Sequence, residues 1–112
     1  MTTITINAGT DGGVRWLVND GATQLPYDFS GWAVRSQVRR AVTDSGVLFE
    51  WSTALGNATC DDSGYVSLFW THAITSTWTW LDGVYDISLT SPAGKISRLD
   101  SGRVSVQREV TR

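Results

Sequence analysis

The chain has 112 residues, enough for one domain with a real core, and its apolar content of 41% is ordinary for a globular protein. A net charge of −2 excludes general nucleic-acid binding, which needs a basic face. The one cysteine, Cys60, excludes an intrachain disulfide and any multi-cysteine metal site, and no apolar run suits an export signal or a membrane helix.

Apolar and polar residues alternate with period two, broken by clusters of Gly, Asp, Asn and Ser, which is the pattern of an all-β chain. ITI at 4–6 is a short strand before the turn NAGTDGG at 7–13, and residues 1–13 are expected to be a flexible or partner-pairing segment of a single domain spanning 1–112. VRWLV at 14–18 follows. In GWAVRSQVRR, 31–40, the alternation sets Trp32, Val34, Ser36 and Val38 against Ala33, Arg35, Gln37 and Arg39, so one face of the sheet is packed and the other wet. TDSG at 43–46 is a turn, because Asp and Ser bond their own backbone and Gly supplies positive φ.

VLFEW at 47–51 is the next strand, and DDSG at 61–64 turns into YVSLFW, with Val66, Leu68 and Trp70 on one face. GVYDISL at 83–89 sets Tyr85, Ile87 and Leu89 against Val84, Asp86 and Ser88, and SPAGK at 91–95 makes a hairpin loop. KISRL and RVSVQREV close the chain, with Val104 and Val106 inward. About seven or eight short strands of this kind close naturally as two antiparallel sheets in a β-sandwich.

The exception is THAITSTWTWLD, 71–82. Ile74, Trp78 and Leu81 fall at helical spacing, which predicts a short helical turn near 72–80 with Trp78 on the core side and Trp80 at the surface. An extended chain would instead put both tryptophans on one face. Trp16, Trp32, Trp51 and Trp70 all fit inward strand positions. An exposed aromatic suits either a protein interface, where Trp is enriched at energetic centres, or stacking on a sugar ring. Trp78 and Trp80 are therefore the first interface candidates, and the Arg35/Arg39 stripe the second.

Candidates for chemistry are few. His72 is the single histidine and no Gly-x-Ser-x-Gly elbow accompanies it, so no catalytic residue is expected and the chain is read as a non-enzyme. Cys60 precedes an acidic turn that raises its pKa rather than activating it. Asp61, Asp62 and Ser63 offer too few oxygens for calcium and suit a turn. No cofactor and no metal are expected. Asn57-Ala58-Thr59 matches a glycosylation sequon but reads as a loop without an export signal. Charge is segregated: 41–94 has no Lys or Arg, while 95–112 carries Lys95, Arg98, Arg103, Arg108 and Arg112. Such asymmetry either orients contacts between copies or partners, or is merely solvated.

The order of these segments resembles a family of small immunoglobulin-like virion proteins of tailed bacteriophages, similar to domains at the start of upper-baseplate proteins and in minor tail proteins. The resemblance lies in LPYDFSGWAVRSQVR (25–39), GVLFEW, DDSGYVSLFW, GVYDISLTSPAGKISRL and the closing GRVSVQREVTR. The WTW stretch departs from it, since that connection is commonly small and Ala-rich in the family. The resemblance implies a structural protein of the virion, in a minor tail, tail-tip or baseplate position, assembled in the host cytoplasm. It implies other virion proteins and symmetric copies of the chain as partners, and neither nucleic acid nor membrane. A capsid decoration protein is the close alternative. A carbohydrate-binding module engaging host glycans is the alternative of another class.

Overall fold

The structure, a computed structural model, describes residues 2–108. The alternation folds into β1 (Thr2–Asn7), β2 (Gly12–Leu17), β3 (Ala33–Arg39), β4 (Phe49–Ser52), β5 (Ala58–Cys60), β6 (Tyr65–Trp70), β7 (Asp82–Thr90) and β8 (Ile96–Gln107), with one helical turn α1 (His72–Thr75) before β7. One sheet has the order β1-β8-β7-β3-β4 and the other β2-β6-β5. A single core takes Val34, Val38, Ile87 and Val104 from the first sheet and Val66 and Leu68 from the second. The all-β sandwich expected from the sequence is the fold observed.

The faces fall where the alternation put them. Along β3, Val34, Ser36 and Val38 are buried while Arg35 is exposed; along β7, Tyr85, Ile87 and Leu89 are buried. The turns also close as read. Asp61 Oδ1 accepts from the Ser63 and Tyr65 backbone N–H groups at 3.0 and 3.2 Å, and Asp44 Oδ1 accepts from Gly46 N–H at 2.9 Å. Gly64 has φ +82, and a Cβ there would lie 2.5 Å from the Val18 carbonyl oxygen, so glycine is required where this turn meets the β2 exit.

Two features differ from the sequence expectation. The sandwich is not wholly antiparallel, because β1 pairs in parallel with β8, from Thr2↔Gly102 to Asn7↔Gln107. Residues 2–7 of the expected flexible or partner-pairing segment are therefore an edge strand of the protein's own sheet. Burial explains this: Ile4 and Ile6 point into the core, each contributing about 1.5–3 kcal/mol, which offsets the ordering of a short edge. The second feature is a register shift between β7 and β8, where Ile87 pairs with Asp100 and Ser88 with Arg98. Leu99 is the extra residue of this β-bulge, and it reverses the in–out phase of β8. Upstream, Arg98 faces solvent; downstream, Ser101 and Arg103 do, while Asp100 turns inward and accepts from the Trp16 indole N–H across the sandwich at 3.0 Å.

Candidate functional site

The WTW segment closes one end of the sandwich. Thr71 caps α1, its side chain accepting from Ile74 N–H at 3.4 Å, and the helix stops after Thr75. Buried Thr75 accepts from Gly9 N–H at 2.9 Å, so the helical turn is pinned to the β1–β2 turn. Asp11 adds a second tether, accepting from the His72 backbone N–H at 2.6 Å and lying 2.9 Å from its Nδ1. These hydrogen bonds from His72 hold the Asp11 carboxyl below its ordinary pKa, the backbone one contributing most. Beside them Gly12 allows the Trp70 indole to lie where a Cβ would come within 2.7 Å of its Nε1.

The placement of the tryptophans corrects the helical reading. Ile74 and Leu81 are each 44% exposed rather than inward, because the helix is a single turn and polar contacts anchor it. Past residue 77 the chain extends, and Trp78 and Trp80 stack with ring centroids 4.7 Å apart at 31°. Trp80 is the inner member at 7% exposure, not the surface one, and Trp78 is half-buried against the core. From Trp78 the aromatic contacts continue to Phe49 at 4.9 Å, on to Trp51 at 5.0 Å and to Trp70 at 6.5 Å. The Trp80 Nε1 is buried with no acceptor among the described residues. What remains open here is a concavity of about 220 Å³ beside Trp78, bordered by Ala8, Thr75, Leu81 and Arg108.

Arg35 and Arg39 sit elsewhere, on the outer face of the five-stranded sheet. Arg35 pairs with Glu50 at 3.4 Å, Gln37 donates to the same carboxylate at 2.6 Å, and Arg39 donates to Gln37 Oε1 at 2.7 Å and to the Asp44 carbonyl at 2.9 Å. Cross-strand register places Arg39, Val84 and Arg103 in one row and Gln37, Asp86 and Ser101 in the next. Arg98 reaches Asp86 at 3.4 Å. A shallow groove of about 560 Å³ runs through these rows. The stripe read as Arg35 and Arg39 is thus a wider basic face that includes Arg98 and Arg103. Its sequence signal was LDSG at 99–102, turn-type residues in mid-strand, which mark a bulge and bring two arginines five positions apart onto one face.

The remaining reactive groups are held in structural contacts. The Cys60 thiol lies 3.6 and 3.4 Å from the Phe29 and Trp32 carbonyl oxygens, and burial, then the nearby Asp61 charge, push its pKa up, away from a nucleophilic thiolate. Asp28 is held below its ordinary pKa by the Ser30 side chain first and its backbone N–H second. Among the described residues no three His, Cys, Asp or Glu side chains group as metal ligands, and no helix is long and apolar enough to cross a membrane.

No family model matches the sequence, and no curated protein sequence matches it. Among solved structures, the chain is similar to the N-terminal domain of phage TP901-1 ORF48, with a TM-score of 0.52 over 95% of this chain and 85% of that one, at 11% sequence identity. At that identity the likeness is one of fold.

Proposed function

We propose that this chain is a structural domain of a tailed-phage virion, placed in the tail or tail tip and acting through contacts with other virion proteins. The observation that carries the reading is the shared fold with a phage protein domain over 95% of the chain. The resemblance of the strand motifs to minor tail and upper-baseplate proteins points the same way by a separate route. The architecture suits such a role, since β1 and β4 are the outer strands of the larger sheet and present backbone that a neighbour can extend.

On this reading Trp78 is the apolar anchor beside its concavity, Trp80 backs it from within, and Arg35 and Arg39 belong to a separate polar contact. A protein partner is favoured over a glycan by the stacked pair itself. Gripping a sugar needs an open ring face, whereas Trp80 is 7% exposed and lies against Trp78. Antibody raised against the purified chain is expected to label the tail tip of released phage particles in electron micrographs. Labelling over the head would move the protein to capsid decoration, and particles free of the chain would overturn the virion reading.

A further inference from the structure

We propose that the arginine groove on the outer face of the five-stranded sheet receives the acidic end of a second copy of this chain, giving a head-to-side contact that repeats. The inference deepens the assembly role proposed above, and rests on it for its biological setting, but it concerns the purified chain alone. Three arginines line the groove, Arg39, Arg98 and Arg103, against one carboxylate, Asp86. Asp86 already pairs with Arg98. Arg39 has only neutral oxygens as side-chain partners, and the Arg103 guanidinium has no ion pair or hydrogen bond among the described residues. These two guanidinium groups flank Val84 from the adjoining strands, with Val42 at the edge, 87% exposed. The site therefore offers uncompensated positive charge around an apolar floor. The bulge at Leu99 builds it, because an unbroken strand would send Arg98 and Arg103 to opposite faces.

The complementary surface is on the same molecule. At the end of the sandwich where β2 leaves and β6 begins, the Val18 N–H donates to the Gly64 carbonyl and the Phe29 N–H to the Asp61 carbonyl, which packs the 18–30 loop on the 61–64 turn. Asp20, Asp28, Asp61 and Asp62 gather there, in two stretches without Lys or Arg, and Leu25 stands among them 64% exposed. Two cations lie near this end: Arg15, whose guanidinium sits 4.4 Å over the Tyr65 ring that follows the turn, and Lys95, on the hairpin whose Pro92 adjoins Gly31, so the acids outnumber them. Four acids around an exposed leucine match unpaired arginines around a valine floor. The two patches lie on different surfaces of one chain, so the contact is heterologous and builds a ring if it closes, a filament if it does not.

The test uses two charge-altered chains. Arg39→Glu with Arg103→Glu makes the groove acidic. Asp28→Lys, Asp61→Asn and Asp62→Lys make the end basic, the amide at 61 keeping the acceptor that holds the turn. Circular dichroism and thermal melts verify that both remain folded. Mass by sedimentation equilibrium should rise with concentration for the native chain, and less so in high salt. Each altered chain alone should associate roughly 100-fold more weakly, since like charges then meet at the contact. An equimolar mixture of the two should regain native-like association, because each groove again faces an end of opposite sign. A native chain that stays monomeric, altered chains that associate as the native one does, or a mixture that stays monomeric would each overturn the proposal. Particle labelling reports on the virion role and is unaffected by any of these outcomes, so the two readings fail separately.

Discussion

The WTW end and the arginine face contain the residues that stand out most in the sequence, and the structure handles them in opposite ways. At the WTW end, large side chains pack on each other: Trp80, Trp78, Phe49, Trp51 and Trp70 form a continuous series of ring contacts, and only parts of Trp78 and Phe49 meet solvent to any extent. On the arginine face the side chains stay out. Its ion pairs, Arg35–Glu50 and Arg98–Asp86, join arginines whose side chains are 67% and 68% exposed, in a geometry that contributes little to stability. The contrast separates two tasks. Aromatic area buried across the sheets stabilises the fold, whereas charge held at the surface is available to choose a neighbour.

The largest test of this division is Trp80→Ala. Emptying a buried indole site should cost about 3–5 kcal/mol of unfolding free energy, measured by urea titration. A loss under about 1 kcal/mol, near that of an ordinary surface substitution, would mean that Trp80 serves the surface after all. Trp80→Phe should cost much less than Trp80→Ala, because it keeps most of the ring and removes an indole N–H that has no acceptor among the described residues. Equal costs for the two would show that the N–H has a partner after all. On the other surface, the double change Arg39→Glu and Arg103→Glu should shift the unfolding free energy by about 1 kcal/mol or less, while acting strongly on association. A large loss of stability there would merge the two tasks.

The smallest effect concerns the tether that holds the WTW end closed. The Asp11 carboxyl is lowered in the folded state by hydrogen bonds from His72, so it contributes stability above its unfolded pKa. That contribution is lost as pH falls through the folded value, below about pH 4. Asp11→Asn should therefore flatten the acid limb of a stability profile. An acid limb identical to that of the native chain would remove Asp11 from the account.

Much of the fold was legible in the chain. The alternation in GWAVRSQVRR and GVYDISL assigned inward and outward faces correctly, because a strand's period of two is local and burial of one face enforces it. The DDSG and TDSG turns were legible for the same reason, since Asp bonds the backbone two residues away. The candidate surfaces were less so. Trp78, Trp80, Arg35 and Arg39 could be picked out by type, but not whether they act together. The structure separates them into two places and adds Arg98 and Arg103 to the second.

What the sequence determined by itself was the all-β class, the strand faces, the tight turns and the charge segregation, all of which follow from neighbours a few residues apart. What only the tertiary structure decided was the parallel pairing of β1 with β8, the inward position of Trp80 and the bulge that turns Arg98 and Arg103 to one side. Each depends on partners distant in the chain: about a hundred residues between Thr2 and Gly102, 66 between Gly9 and Thr75, and a strand-to-strand register that neither β7 nor β8 encodes alone. A tryptophan at a helix exit fits either environment locally. Trp80 is buried behind Trp78, which packs on Phe49, next to a helical turn whose Thr75 is pinned to the β1–β2 turn, contacts that exist only once both sheets have closed.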